Sequence, residues 1–447
     1  MEGTGVRTAI GILPSCRRES VIFLANLECV FFGDTDRTRD IVANITGFRG
    51  YGSRLLPVLS LLYRGDANLL LVGEEPDQSL CSYFSQTLHL ALPEVALLEI
   101  PAGCAVGSLA FPGGIGQLAS HPATLLDGYV TDPNLEGLAA RLGRRAVNTY
   151  PVCRHANDKV RLFRFLGAAG LPVFDGREAT DGEGVRSALA ELDALGYRRA
   201  VVRAALGASG FGMQVLECRG GQLVSPLLLD GETLLVQGWM EEGGRGVLRV
   251  ESPSVQFYSG PGGEAVLYDL TEQLLSAASV HEGNLAPPLG LAADGAVRRT
   301  ILDQAATVVA WVHSLGYRGP GSIDFLVVEQ GGGVRVHVCE VNARVTGATY
   351  PSLLALNCNP GGAWLMRNFV FAPCLTAAAF LDLLDGKGLL FRPGRGHGIL
   401  PINVIGGEKG MLRKCQLLFL APAGEDCRRM MEEFPALLPA ACRFDRD

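Results

Sequence analysis

A chain of 447 residues with 48% hydrophobic and 19% charged residues exceeds a single hydrophobic core, and its length suggests about three domains. The net charge of −7 and a sequence pI near 5.6, with no basic tract, argue against nucleic acid as the main partner, since phosphate-backbone binding shows a basic excess. The longest apolar run, Leu55 to Tyr63, is far too short to span a bilayer, no signal peptide is read at the N-terminus, and the 12 cysteines, without a C-x-x-C pair or zinc spacing, read as reduced, mostly buried thiols of a cytoplasmic protein.

In chain order, residues 1 to about 150 alternate short apolar runs with helical stretches. Val21 to Leu27, Asn68 to Gly73 and Val95 to Ile100 are bounded by turn residues, as buried parallel strands are; Asp36 to Ile45 and Asp77 to Leu90 between them have helical character. The loop Tyr51-Gly52-Ser53-Arg54 carries polar groups that face either a ligand or only water at an ordinary glycine turn. The pattern changes near Asn148. Asn157 or Asp158 caps a helix carrying Val160, Phe163 and Leu166 and closed by Gly170 and Pro172, which puts Lys159 in its first turn. An ammonium there does not favour the helix dipole; it is better placed to join free N–H groups in holding an anion. Only four of the 39 basic residues are lysines (Lys159, Lys387, Lys409 and Lys414), which sets the one early lysine apart. A second helix runs from Glu183 to Leu195.

Arg199 to Leu206 and Phe211 to Cys218 read as strands joined by Gly207-Ala208-Ser209-Gly210. This glycine-rich loop links strand to strand, unlike the dinucleotide fingerprint or the Walker loop, which lead into a helix; it is either a flap over phosphates or a plain hairpin turn, and Arg203 enters it. Strands follow at Thr233 to Trp239, Ser254 to Tyr258 and Ala265 to Leu270. Val297, Ile301, Leu302, Ala305, Val308, Val309 and Val312 recur at helical spacing, and Trp311, His313 and His281 read as structural. After Pro351 a largely apolar helix carries Leu353 to Leu356 and Trp364 to Phe369. The tail from about 375 is a helix, a glycine-rich loop, two strands (Ile399 to Ile405 and Leu412 to Leu420) and a last helix near Glu425 to Phe434.

The chemistry concentrates between Gly321 and Pro351. Two β-branched runs, Ser322 to Glu329 and Val334 to Val341, flank a Gln-Gly-Gly-Gly turn and read as a β-hairpin. Val334, Val336 and Val338 lead on one face into Glu340 and Asn342, and a three-residue loop, Gly331 to Gly333, sets Asp324 opposite Glu340. Two carboxylates and an amide at the end of apolar strands suit a hard divalent cation, and Mg²⁺ prefers such oxygen donors and completes its shell with phosphate oxygens. Arg344 is placed to meet phosphate or carboxylate in bidentate fashion. The plain alternative is an edge hairpin whose polar residues face water.

Taken together, Lys159, Arg203 with its glycine flap, the Gln237 to Glu241 strand end, and the Asp324, Glu340, Asn342, Arg344 set resemble the ATP-grasp superfamily over roughly residues 120–370. The runs HANDK, RAALGASGFGMQV, ESPSVQFY, GSIDFLV and CEVNARVTGATYPSL look like the actinobacterial peptide ligases typified by the pheganomycin ligase. The resemblance implies an α/β and α+β multidomain protein: a pre-ATP-grasp α/β domain (1–120), a two-subdomain ATP-grasp core (121–374, with a lid at about 155–240) and a small C-terminal domain (375–447). It implies ATP held by Lys159, Arg203, Gly207, Ser209, Gly210 and Gly212 at the phosphates and by Gln237, Trp239, Met240 and Glu241 (or Glu242) at adenine and ribose. Mg²⁺ would sit on Asp324, Glu340 and Asn342, and Arg344, Thr346, Gly347 and Thr349 would meet the acyl group, with Arg344 and Arg203 catalytic. The expected activity joins a small amino-acid-like, even guanidino, acid to a peptide amine through an acylphosphate, in a homodimer; an ATP-grasp small-molecule kinase and a non-catalytic ATP-binding regulator are the competing readings.

Overall fold

The computed structural model describes residues 5–27, 48–97, 114–207, 212–221, 224–225, 228, 232–276, 281–372, 374–406 and 410–442. The expected strands of the first region form a five-stranded parallel sheet in the spatial order Glu94–Leu97, Leu69–Val72, Val21–Leu24, Leu125–Gly128, Arg145–Ala146. Its central strands are buried along their whole length, as continuous apolar runs covered on both faces must be. The last two strands come from beyond residue 120. The expected helix over Asp36 to Ile45 lies outside the described residues, as do Ile100, Ser209 and Gly210.

A small antiparallel sheet follows, in the order Gly176–Ala179, Leu234–Gly238, Arg199–Ala204, Met213–Glu217, with helix Gly182–Ala194 packed on it through Val185, Ala188, Leu189 and Leu192. Helix Lys159–Ala168 is capped by Asp158, whose carboxylate accepts from the N–H groups of Val160 and Arg161. Of the two candidate caps, Asp158 is therefore the one used, and Asn157 is released for another task.

The large mixed sheet carries the 319–342 hairpin. Strand Pro253–Ser259 pairs with Gly319–Gln330 on one side and Ala265–Leu275 on the other; His281–Ala286, Ala363–Val370, Leu412–Ala421 and Gly398–Gly406 continue it. Helix Gly295–Ser314, capped by Asp294, lays Val297, Ile301, Ala305, Val308, Val309 and Val312 against the sheet. Two expectations are corrected. Trp364 to Phe369 is strand, not helix: a short buried apolar run has no periodicity to separate the two, and Trp364 to Met366 lie buried between two neighbouring strands. Cys374 and Cys442, expected as free thiols, form a disulfide; 68 residues of separation and no local spacing conceal a pairing that only the docking of the C-terminus creates.

Candidate active site

The hairpin reaches its expected pairing by an unexpected route. Its ladder runs from Gln330 opposite Gly333 to Phe325 opposite Val338, then shifts so that Asp324 faces Glu340. The turn therefore contains two residues, Gly331 and Gly332, with φ of +61° and +80°, a left-handed pair that suits the twist of a hairpin. Cys339 is the extra residue of a bulge. A three-residue loop with a regular ladder and a two-residue loop with one bulge both set 324 opposite 340. They differ in which face leads there. Val336 and Val338 pair with Val327 and Phe325 on the face buried against helix Gly295–Ser314, where Gln304 Nε2 donates to Val336 O at 3.2 Å. The expected continuation from Val338 to Glu340 on one face is thus corrected: the bulge carries Glu340 to the opposite face, with Asp324.

Three cations converge on that face. Arg203 Nη2 donates to Glu340 Oε2 at 2.6 Å, and its Nη1 to Cys339 O at 3.2 Å. Lys159 Nζ lies 3.6 Å from the same Glu340 oxygen and donates to Gly207 O at 2.9 Å. Arg344 adds its charge to the same carboxylate. Burial alone would raise Glu340, but Lys159, Arg203 and Arg344 bring it down to about 2. Asp324 goes the other way: burial and the neighbouring Glu340 charge push it up to about 6, against hydrogen bonds from Ser254 and Gln273 and the charge of Arg344. Burial lowers Lys159, with Glu340 opposing and Arg203 and Arg344 adding to the effect.

Among the described residues no group of three or more His, Cys, Asp or Glu could hold a metal; the donor set is two carboxylates and an amide. Asn342 Nδ2 bridges them, at 2.9 Å from Asp324 Oδ2 and 3.3 Å from Glu340 Oε1, and a half-turn of the amide presents its oxygen instead. Hard oxygen donors, and a carboxyl held up by an adjacent negative charge, fit a small divalent cation.

Asn157 was not expected to have a role here. Its Oδ1 accepts from Arg344 Nη1 at 3.1 Å and from Ala343 N at 3.0 Å, while its Nδ2 donates to Cys153 O at 2.8 Å. It fixes the guanidinium that follows strand Gly333–Asn342. Ser254 and Gln256 were also missed: Ser254 Oγ donates to Asp324 Oδ1 at 2.7 Å, Gln256 Nε2 to Ser254 Oγ at 3.0 Å, and Thr346 Oγ1 to Gln256 Oε1 at 3.4 Å. Their alternation in S-P-S-V-Q, on a strand next to Gly319–Gln330, is the only sequence signal for this link between Asp324 and the Thr346–Thr349 turn.

The remaining expected residues fall around this centre. Gly207 and Gly212 flank the glycine loop, with Gly212 at φ +76°. Gln237 is buried on the strand beside Arg203, between Val201 and Gly176; Trp239 N–H donates to Arg199 O at 3.0 Å, and Met240 packs on the small subdomain's core. Glu241 is held by Arg198 and Arg199, and despite burial these guanidinium groups keep its carboxyl low. Thr346 and Thr349 close a turn on each other: Thr346 N–H donates to Thr349 Oγ1 at 3.0 Å and Thr349 N–H to Thr346 Oγ1 at 3.2 Å. The Thr346 and Thr349 N–H groups are consumed by the turn, because hydroxyl side chains capture nearby backbone amides. Gly347 lies against His281; a Cβ there would stand 3.1 Å from its Cε1.

No family model matches the chain. It is 28% identical over 204 residues to the [butirosin acyl-carrier protein]–L-glutamate ligase of Niallia circulans, a match covering 44% of this chain and 45% of that protein; the chain thus aligns with about half the length of this curated relative. Its fold is similar to biotin carboxylase of Campylobacter jejuni in a β,γ-ATP complex (TM-score 0.59, 12% identity, 95% of this chain and 93% of the other). It is likewise similar to N5-carboxyaminoimidazole synthetase of Staphylococcus aureus complexed with ADP (TM-score 0.53, 11% identity, 94% and 97%). The architecture is the mixed α/β, multidomain one that the sequence resemblance leads one to expect.

Proposed function

We propose that this chain is an ATP-dependent carboxylate–amine ligase of the ATP-grasp type. The observation that carries the reading is the buried meeting of Lys159 and Arg203 with Glu340 on the 319–342 hairpin: two cations from one layer face an oxygen donor set from the other, the charge pairing that a polyphosphate and its cation would be held between. The fold shared with nucleotide complexes and the partial match to a carboxylate–amine ligase support it.

An unactivated carboxylate and an amine form a salt, not an amide, because the departing oxygen is too basic. Transfer of the γ-phosphoryl group makes that oxygen a good leaving group, and the amine then displaces phosphate. Lys159 and Arg203 are donors without acceptor capacity, suited to hold phosphoryl oxygens as charge builds on them. Asp324, Glu340 and Asn342 would hold Mg²⁺, which when bound neutralises the phosphate oxygens. Arg344, braced by Asn157, is aimed to steady the acid's carboxylate beside the transferred group. In this reading Gln237, Trp239 and Met240 meet the adenine and Glu241 the ribose, with Ser209, Gly207, Gly210 and Gly212 in the flap. Thr346, Gly347 and Thr349 shape the acyl pocket.

The acid is small and amino-acid-like, a guanidino acid being one candidate, and the amine is the N-terminus of a peptide in natural-product biosynthesis. The test mixes protein, MgATP, a panel of acids and a panel of peptides and reads products by mass. Condensation with loss of one water, releasing ADP and phosphate, is the expected result. A stable phosphorylated product would instead make the chain a kinase, and tight ATP binding without turnover a regulator.

A further inference from the structure

At the edge of the acyl loop lies a cluster of donors that the described residues answer only in part. Arg54 is 8% exposed, yet its guanidinium forms no ion pair among the described residues. Its Nε donates to Tyr51 O at 2.8 Å and its Nη1 to Tyr350 Oη at 3.4 Å, which leaves Nη2 without a hydrogen bond there. The guanidinium carbon stands over the rings of Tyr51 and Tyr350, at 4.3 and 5.2 Å from their centroids. Those faces soften the burial of a cation, but they do not replace a counter-charge.

The neighbouring hydroxyls are also donors in waiting. Tyr350 Oη accepts from Arg54 and, at 2.8 Å, from Gln416 Nε2; with both lone pairs taken, its own hydrogen has nowhere to go among the described residues. The Tyr129 hydroxyl, close enough to feel the Arg54 charge, is buried and makes no hydrogen bond among the described residues. A buried cation and two buried O–H groups, all unanswered, cost free energy in the folded chain. Their natural complement is an anion with two oxygens.

The position says which molecule brings that anion. Tyr350 opens helix Thr349–Cys358, directly after the Thr346–Thr349 turn. His281, whose ring abuts Gly347, also feels the Arg54 charge. The cluster therefore borders the acyl loop, on the side contributed by the first domain, and is separate from the Lys159–Arg203–Glu340 centre.

We propose that Arg54, Tyr129 and Tyr350 form a recognition site for a substrate carboxylate that is not the one phosphorylated. The inference rests on the ligase reading and narrows it. The substrate pair carries a second carboxylate, either on the acid or at the C-terminus of the peptide, and a guanidino acid would add a second cation beside Arg54, where the nearest groups are already donors.

Direct titration calorimetry of the whole chain tests this without turnover, using glutarate against butyrate, glutamate against 4-aminobutyrate, a dipeptide acid against its amide, and a guanidino acid. The expected result is that one carboxylate-bearing partner of a pair binds at least about tenfold more tightly than its counterpart, the pair identifying the source, since a hydrogen bond to a charged group is worth roughly tenfold or more. Arg54→Met should abolish that preference. Tyr129→Phe removes a hydroxyl that bonds to nothing among the described residues, so it should leave thermal stability unchanged or raised while weakening the same carboxylate about fivefold; this separates binding from folding. Binding that ignores the second carboxylate, is strongest for the guanidino acid, or is unaltered in both variants overturns the site. If discrimination is seen and no condensation product ever forms, the ligase reading fails and the carboxylate site stands.

Discussion

Replacing Glu340 by Gln keeps the side chain's shape and removes a negative charge that Lys159, Arg203 and Arg344 share. A carboxyl brought from 4.5 to about 2 prefers its ionised form by about 3 kcal/mol, at ~1.4 kcal/mol per tenfold change. The side chain is 21% exposed, so water screens part of this, and a loss of about 2–3 kcal/mol is expected at neutral pH. Because the folded carboxyl titrates below the unfolded one, the difference between wild type and variant is complete above about pH 4.5 and disappears as pH falls towards 2. Urea unfolding at pH 7 and near pH 2 measures both ends. The uncompensated cations should make metal-free ADP protect Glu340→Gln more than wild type, while MgATP turnover, followed by ADP release, drops more than about a hundredfold. A variant as stable as wild type at pH 7, or one with wild-type turnover, refutes the assignment of Glu340 as the shared counter-charge and metal ligand.

Asp324 titrates high, so protons compete with a divalent cation until the pH passes about 6. Calorimetric Mg²⁺ affinity in the presence of ADP should fall up to about tenfold per pH unit below 6 and level off above it, and Asp324→Asn should remove both the binding and the slope. Asn157→Ala orphans the Ala343 N–H and unbraces Arg344; about 1–3 kcal/mol of stability should be lost, and the KM for the acid should rise more than that for ATP in steady-state assays. Gly212→Ala forces a Cβ at φ +76° to within 3.2 Å of Ala204 Cβ and 3.3 Å of Leu206 O, costing about 1–2 kcal/mol. Its KM for ATP should increase while the binding of the acid is unchanged.

The parts of this molecule legible from sequence are those whose chemistry repeats a local rule. Buried parallel strands announce themselves as unbroken apolar runs, and helix Gly295–Ser314 as a 3.6-residue stripe ending at Gly316. The acidic hairpin was legible for a subtler reason. Alternation fixes which residues share a face only while the ladder is regular, and the Cys339 bulge breaks it. The loop was taken one residue too long and the ladder as one residue too regular, and since each error moves the register by one, Asp324 met Glu340 all the same. No such compensation helps with Asn157, Ser254 or Arg54. Each acts through a partner far along the chain: Asn157 with Arg344, 187 residues away, Ser254 with Asp324, 70 away, and Arg54 with Tyr350, 296 away. What these residues do depends on the partner that folding delivers. The contrast between Asn157 and Asp158 makes the point, since both can cap a helix. Once Asp158 takes the cap, the amide next to it is left with four hydrogen-bonding positions in a buried place; Ala343 and Arg344, just beyond strand Gly333–Asn342, answer three of them and Cys153 O the fourth. A side chain freed from a local duty and buried has to be answered from elsewhere in the fold. Asn157 finds that answer in Arg344, and the donors around Arg54 find none within the described protein, which is why the first is part of the framework and the second points to a ligand.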